Sequence, residues 1–553
     1  MPTINSSKKD LESLVGKKFS QKELEDALMF VKGELDAING DDLTIDVKET
    51  NMPDLWSTEG IARELRARMG IEKGIKKYHA EKARISCTIE KSVEKTRPFI
   101  ACAIARNVKV TEKFLVQMIQ LQEKVGMTYG RKRRETGIGI YDFDKMKPPI
   151  FYRGYKDNEI EFIPLEYRVK MRPSEILTEH PKGKEYAHLL KGAEFFPIVI
   201  DSAGVVASMP PIINSETTGK VTEKTSNIFI EVTGFNWNTV NVALKVMCMA
   251  LADRGAKLEA VKINFPKTKS YPTQSIETPF FGTKKISLDT EYAQMAIGTK
   301  MNASQMSAIL QKAGMHAIAQ GKKIMVEYPD YRIDILHQAD IVEDILIGHG
   351  YNNIMPQKVE LSVAGEELSE KLFLDKARDV CIGLGLQEVL TFNLSSKEKQ
   401  LEKIMAKDEL VQIANPVSVN WEVMRKRIVP ELLDFLAKNK HAEYPQGIFE
   451  IGTCLSIDKN SDTMVRQTYN LGIAISDSRA NFTRIKSVLD AITKNLGIDY
   501  RLRETKSAFL DNSKAGDILA GKMSGFIGEI SQKCAQNFSL ETKTIVLEIE
   551  LVQ

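Results

Sequence analysis

A short acidic segment in the middle of the chain is the first place where several side chains could share one chemical task. Asp340, Glu343 and Asp344 stand at positions i, i+3 and i+4, with Asp334 just upstream. On a helix, this spacing places three carboxylates on one face and leaves an apolar face opposite. Like charges so placed repel by roughly 0.2–0.5 kcal/mol per pair. The sequence therefore predicts either an interaction that offsets this repulsion or a helix face that is simply solvated.

A second polar group surrounds the strand-like run NIFIEV. Alternation along a strand places Glu231 on the face of Phe229, opposite its aliphatic neighbours. Upstream, Pro210 and Pro211 lead into the loop INSETTGK. The uncharged polar side chains of that loop are Asn214, Ser215, Thr217 and Thr218. Taken alone, these residues fit an outward-facing glutamate and a hairpin-type loop.

The bulk composition is that of an ordinary globular protein. The 553 residues are 43% hydrophobic and 27% charged, with a net charge of +3. No apolar run reaches membrane-spanning length, and the first residues lack an apolar signal region. The six cysteines form no C-x-x-C pair, which predicts free thiols in a reducing, cytoplasmic compartment. Residues 106–134 carry eight basic side chains against two acids, which suits either a nucleic-acid contact or a solvated face.

Hydrophobic periodicity and the positions of Pro and Gly predict an α+β multidomain chain. Residues 1–90 indicate a small mixed domain, with a helical capping box at Ser20 and Glu23. Residues 91–275 alternate strands with two helices, and residues 276–356 suggest a winged-helix-like or helix-turn-helix-like domain carrying the acidic helix. Residues 357–553 indicate an antiparallel sheet with helices packed on it. The Gly-x-Gly of TGIGI is too short for a dinucleotide fingerprint and is interpreted as strand.

Four stretches of this sequence resemble one known family. They are TNMPDLWSTEGIARELR (50–66), residues 208–234, residues 329–354 and NPVSVNWEVMRKRIVPELL (415–433). Together they resemble the β subunit of phenylalanyl-tRNA synthetase in its archaeal and eukaryotic form. This chain has Met52 where the family usually has arginine. The resemblance covers essentially the whole chain and implies an editing, tRNA-binding domain at 91–275 and a class II synthetase catalytic-like domain without an active site at 357–553.

The resemblance also implies roles for the polar residues. Asp334, Asp340, Glu343 and Asp344 match acids to which the family assigns a magnesium site shared with the α subunit, although a salt bridge to an α-subunit basic residue would use the same charges. Glu231 matches the glutamate that reads the tyrosine hydroxyl during editing. An apolar pocket rejects an added hydroxyl poorly, so a second site is needed. The remaining candidates, for the ester and a hydrolytic water, are Asn214, Ser215, Thr217 and Thr218, with His188 as a possible neighbour.

The implied activity is ATP-dependent attachment of phenylalanine to tRNA(Phe) by an α₂β₂ assembly, with hydrolytic editing of tyrosyl-tRNA in this chain. No residue of this chain is expected to catalyse aminoacylation, because residues 357–553 show no paired arginine signature for ATP. The expected ligands are Mg²⁺ and ATP, and no membrane is expected as a partner. Two alternatives stay open at this point. One is a free-standing deacylase or RNA-binding protein, and the other is a structural scaffold with a decayed editing pocket.

Overall fold

The computed structural model describes residues 2–521 and 523–552. The chain is divided into two compact units, Met1–Gln357 and Lys358–Gln553. Across the described residues, none of the helices combines the length and apolar character needed to cross a membrane. All six cysteines are buried free thiols, as the sequence predicted. The chain is a mixed α+β protein with several separate sheets.

The first part of unit 1 is a three-stranded antiparallel sheet packed against helices. Its strands pair in the order β1-β3-β2. Ser20 and Glu23 form the predicted capping box at the start of α2. Met52 lies in the apolar core and is 5% exposed. The elements are β1 (Thr3–Ser7), α1 (Lys8–Val15), α2 (Gln21–Leu28), β2 (Gly33–Asn39), β3 (Asp42–Val47) and α3 (Thr58–Arg68).

A ten-stranded mixed sheet follows, and it positions the polar residues around Glu231. Its order is β10-β9-β8-β7-β4-β12-β5-β11-β6, with β13 beside β12. The strands are β4 (Ala80–Ile89), β5 (Phe99–Arg106), β6 (Thr136–Asp142), β7 (Ile150–Tyr155), β8 (Phe196–Asp201), β9 (Val206–Met209), β10 (Ile213–Asn214), β11 (Ile228–Gly234), β12 (Lys257–Asn264) and β13 (Ile276–Thr278). The helices are α4 (Glu112–Lys124), α5 (Pro173–Glu179), α6 (Pro181–Tyr186), α7 (Glu216–Gly219) and α8 (Trp237–Asp253). Since β4 pairs with β7 and β12, this sheet begins before the predicted boundary at residue 91.

Strand β11 is buried along its whole length. It runs antiparallel to β5 on one side and to β6 on the other. Its aliphatic residues 228, 230 and 232 pack into one apolar core, whereas Phe229 packs into another. This confirms the predicted alternation, and it places Glu231 on the Phe229 face inside the protein rather than toward solvent.

The last part of unit 1 carries the acidic helix. Three antiparallel strands pair in the order β14-β16-β15, and three helices pack against them around one apolar core. The elements are β14 (Thr283–Asp289), α9 (Thr290–Ile297), α10 (Ala303–Lys312), β15 (His316–Gln320), β16 (Lys323–Pro329) and α11 (Gln338–His349). Two helices followed by a hairpin are compatible with the predicted winged-helix-like arrangement. The acidic residues lie on α11 and on the turn before it.

Unit 2 is a seven-stranded sheet with helices on both faces. Its order is β17-β20-β21-β25-β24-β23-β22, antiparallel except for the β17–β20 pair. Helices α12 and α14 pack on one face, and α13 and α15 on the other. The helices are α12 (Ser369–Gly383), α13 (Val429–Lys438), α14 (Phe482–Leu496) and α15 (Gln532–Asn537). The strands, which include the separate β18–β19 pair, are β17 (Gln387–Glu388), β18 (Leu394–Ser395), β19 (Val423–Met424), β20 (Gln446–Ile457), β21 (Val465–Ser476), β22 (Arg501–Arg503), β23 (Leu510–Ala520), β24 (Met523–Ile530) and β25 (Thr544–Val552).

Candidate functional site

A cavity of about 530 Å³ lies in the ten-stranded sheet domain, beside β6 and β11. Helix α4 supplies an apolar wall from Leu115, Met118 and Ile119. The other walls include residues of the segment 208–221, of β6 and of β11. The cavity therefore combines an apolar surface with a few polar groups, which is the usual composition of a small-molecule site.

Glu231 is the central polar group of this cavity and is 2% exposed. Its Oε1 accepts hydrogen bonds from the Tyr141 hydroxyl at 2.8 Å and from the Ser208 hydroxyl at 3.5 Å. Its Oε2 is also buried and has no hydrogen-bond partner among the described residues. Burial raises the pKa of Glu231 to about 7, against the opposing effects of the Tyr141 hydrogen bond and the Arg97 charge. The site thus holds one satisfied and one unsatisfied carboxylate oxygen.

Two glycines of β6 make room for this arrangement. Gly139 lies directly across from Glu231 in the sheet register. A Cβ at Gly139 would lie 2.0 Å from the Tyr141 hydroxyl and 2.6 Å from Glu231 Oε1. A Cβ at Gly137 would lie 2.8 Å from Pro211 Cβ. The Gly-x-Gly of TGIGI is therefore strand, as predicted, and its glycines let Tyr141 reach Glu231 and let Pro211 approach β6.

The predicted loop residues separate into two groups. Asn214 lines the cavity, and its side-chain amide donates to the Ile140 carbonyl at 3.2 Å. Ser215 and Thr218 are both buried, with their hydroxyls 3.0 Å apart, and Ser215 caps the start of α7. Neither of them lines the cavity, and neither does Thr217. A Cβ at Gly219 would lie 2.4 Å from Asn214 Cβ, so this glycine allows a close approach to the asparagine.

The histidine at the cavity is His180 and not His188. His188 is exposed and does not line the cavity. His180 is 3% exposed; its Nε2 lies 3.2 Å from the Leu165 carbonyl oxygen, and its Nδ1 accepts from the Lys182 amide at 3.2 Å. Because Nδ1 accepts a hydrogen bond, Nε2 is the ring nitrogen that can donate to the Leu165 carbonyl. Sequence reasoning also missed Tyr141 and Ser208, because neither spacing nor composition links them to Glu231.

The acidic helix makes contacts that differ from the predicted metal site. Asp344 is buried, and its two oxygens accept from Arg68 at 2.5 Å and from Arg332 at 2.7 Å. Asp334 also pairs with Arg332, at 2.7 Å. Burial acts to raise the pKa of Asp344, but the charges of Arg332 and Arg68 outweigh it and hold the pKa below its ordinary value. These carboxylates therefore neutralise two buried guanidinium groups.

The other two acids have separate partners. Asp340 accepts from the Leu336 and His337 amides at 2.8 and 2.7 Å at the start of α11. Glu343 pairs with Lys32 at 3.0 Å. In the described part of the chain, no three Asp, Glu, His or Cys side chains form a group that could hold a metal ion. The geometry therefore does not fit one Mg²⁺ held by all four acids, and the predicted magnesium site stays a prediction.

Unit 2 contains a buried arginine that forms an ion pair within the unit. Arg425 is 1% exposed and donates to Glu450 at 2.6 Å and to Thr391 at 2.8 Å. Arg427 pairs with Asp408 at 2.7 Å. Both guanidinium groups are therefore paired with a carboxylate of the same unit. The expectation that this unit has no catalytic ATP site stays a prediction.

Models of known protein families match most of the chain. Three family models match in order: a B3/4 domain over residues 84–250, a tRNA synthetase B5 domain over residues 286–351, and the CLM domain of the phenylalanyl-tRNA synthetase beta chain over residues 354–551. The residues that line the cavity all lie within the B3/4 match, and the acidic helix lies within the B5 match. The matched domains are those of an aminoacyl-tRNA synthetase subunit.

Full-length relatives identify the family. The phenylalanine–tRNA ligase beta subunits of Pyrococcus horikoshii and Pyrococcus furiosus are each 42% identical, over 100% of this chain and 99% of theirs. A crystal structure of an N-terminal fragment of the P. horikoshii phenylalanyl-tRNA synthetase beta subunit matches with a TM-score of 0.60 and 43% identity, covering 63% of this chain and 100% of that chain. This chain belongs to the phenylalanine–tRNA ligase beta subunit family, which confirms the resemblance drawn from its four sequence stretches.

Proposed function

We propose that this chain edits mischarged tRNA by hydrolysing tyrosyl esters in the cavity around Glu231. The observation that carries the proposal is the buried Oε2 of Glu231, which has no hydrogen-bond partner among residues 2–521 and 523–552. A buried acceptor left unsatisfied costs about 1–3 kcal/mol, and a ligand hydroxyl that donates to it would remove that cost. Tyrosine carries such a hydroxyl and phenylalanine does not. The site therefore favours the wrong amino acid, as an editing site must.

Each neighbouring group has a place in this scheme. Burial raises the pKa of Tyr141, so its phenol stays protonated and donates to Oε1 of Glu231. This fixes the carboxylate so that Oε2 can accept the substrate hydroxyl. The apolar wall of α4 would pack against the substrate ring. Asn214 is the predicted loop residue with a side chain in the cavity, and we assign it to positioning the ester. Ser215 and Thr218 support the loop that presents Asn214.

The test is Glu231→Ala in the assembled enzyme. We expect the charging of tRNA(Phe) with phenylalanine to be unchanged and the deacylation of tyrosyl-tRNA(Phe) to fall at least tenfold. Tyr-tRNA(Phe) should then accumulate when tyrosine is supplied. Unchanged deacylation in this variant would refute the assignment of Glu231 and would favour the scaffold alternative.

We also propose that unit 2 assembles with an α subunit, which carries out aminoacylation with ATP, Mg²⁺ and phenylalanine in an α₂β₂ enzyme. The support is a set of exposed apolar side chains: Leu390 is 82% exposed, Phe392 70% and Val419 74%. The Phe392 ring lies 5.0 Å from the Trp421 ring, two residues after Val419, so the two segments meet. Exposed apolar groups that form a patch are typical of an interface. The native mass of the purified assembly tests this. A solitary chain that deacylates tRNA would instead support the free-standing alternative.

A further inference from the structure

A short basic turn (residues 131–134) follows α4 and has an unusual backbone. Arg131, Lys132 and Arg133 have φ angles of 47°, 56° and 64°, so three consecutive non-glycine residues are left-handed. This conformation costs roughly 1–2 kcal/mol per residue for side chains with a Cβ. Backbone strain of this kind is concentrated at active sites and ligand-binding segments. Other contacts must therefore stabilise the basic turn.

The backbone of the basic turn is held by local hydrogen bonds. A π-helical turn, Val125–Tyr129, extends α4. The amides of Lys132 and Arg133 donate back to the carbonyls of Met127 and Gly126, at 2.9 and 2.8 Å. The chain then enters β6 after the Glu135 amide donates to the Gly130 carbonyl at 2.9 Å. These backbone hydrogen bonds therefore hold the three left-handed residues in one conformation.

Two guanidinium groups hold the basic turn against the rest of the domain. Arg133 lines the cavity and donates to the carbonyls of Pro211 and Ile212, at 3.3 and 3.2 Å. It also pairs with Glu123 at 2.8 Å. The buried Arg97 donates to the Arg134 carbonyl at 3.0 Å. The basic turn therefore has a fixed position beside the segment that forms one wall of the cavity.

The other three side chains of the turn point into solvent. Arg131 and Lys132 are exposed, and the Arg134 side chain is 74% exposed. Among the described ion pairs, this trio makes a single contact, between Arg134 and Glu135 at 3.9 Å. A weak contact at that distance on the surface contributes little. Three positive charges thus stand on a rigid support next to the cavity.

We propose that Arg131, Lys132 and Arg134 bind the sugar-phosphate backbone of the RNA strand whose aminoacylated end enters the cavity. The inference rests on the proposed editing function and adds the surface that receives the nucleic acid. Cationic side chains bind phosphates without reading sequence and release counterions when they do so. Their fixed backbone reduces the ordering cost of that contact. Arg133 is occupied by the cavity wall and serves as the anchor of the turn.

The test compares two charge-matched triple variants of the assembled enzyme. In one, R131Q, K132Q and R134Q remove the charges while keeping side-chain length and leaving Arg133 in place. In the control, K257Q, K262Q and K267Q remove three exposed charges on and after β12. The affinity for uncharged tRNA(Phe) is measured against KCl concentration. Each phosphate contact contributes roughly 0.7–0.9 to the slope of the logarithm of the association constant against log[KCl]. We therefore expect the slope to become less steep by about 2 in the first variant and to be unchanged in the control.

Further arms separate this inference from the editing proposal. Hydrolysis of 2′(3′)-O-tyrosyl adenosine needs the cavity but not the extended strand, so it should be equal in wild type and in the R131Q/K132Q/R134Q variant. If neither protein hydrolyses it, the editing proposal fails while the salt slopes still decide the RNA contact. Equal slopes in wild type and the first variant, or an equal loss in the control, would overturn the inference. So would a variant that keeps tRNA affinity but loses binding to poly-glutamate, since the turn would then be an acidic-peptide site.

Discussion

Replacing Glu231 with glutamine should make the stability of β11 independent of pH above pH 5. Because burial raises the pKa of Glu231 from 4.5 to about 7, the folded domain prefers the protonated form. The stabilisation that this proton provides is complete below pH 4.5 and is lost as the pH rises through 7. Glutamine has nearly the same shape and no charge at any pH. The variant therefore avoids the cost of a buried carboxylate at alkaline pH.

The magnitude follows from the two pKa values. Each pKa unit corresponds to about 1.4 kcal/mol, so the change from 4.5 to about 7 corresponds to about 3 kcal/mol in total. Between pH 5 and pH 8.5, linkage gives about 2.5 kcal/mol of that difference. The free energy of opening β11 in Glu231→Gln, relative to wild type, should therefore increase by about 2.5 kcal/mol over this range.

Hydrogen exchange of peptides that cover Ile228–Gly234 measures this directly. Variant and wild type are compared at the same pH, so the intrinsic exchange rate cancels. The ratio of their rates should change by roughly fiftyfold to a hundredfold between pH 5 and pH 8.5, with the variant slower at pH 8.5. Glu277→Gln, an exposed residue of β13 in the same sheet, is the control and should give a constant ratio. A constant ratio for Glu231→Gln would refute the inference of a raised pKa.

Two further predictions concern the same domain and the acidic helix. Tyr141→Phe removes the hydrogen bond that favours the charged carboxylate of Glu231. The pH at which hydrogen exchange of the β11 peptides accelerates should therefore be higher than in wild type. Asp344→Ala leaves Arg68 and Arg332 without their shared carboxylate and should destabilise unit 1 by about 3–5 kcal/mol in urea unfolding, whereas Glu343→Ala, one position away, should cost less than about 1 kcal/mol. Equal losses in these two variants would contradict the buried network. A loss of wild-type stability on adding EDTA would support the magnesium interpretation.

Much of the fold followed from local patterns in the sequence. The capping box of α2, the alternation of β11 and the antiparallel sheet of unit 2 appeared where hydrophobic periodicity placed them. The boundary at residue 91 differed from the structure, because β4 pairs with strands far away in sequence. Strand pairing over such separations leaves no trace in a local window.

The sequence by itself determined the family, the strand that carries Glu231 and the helix that carries the acids. Only the tertiary structure decided what those side chains contact. It brought Tyr141 past Gly139 to Glu231, and it placed Arg68 and Arg332 on Asp344. It also buried one oxygen of Glu231 with no partner in the described part of the chain. The physical reason is that periodicity records which face of an element is buried. The partner of a buried charge comes from another element, and the packing of the whole domain selects it.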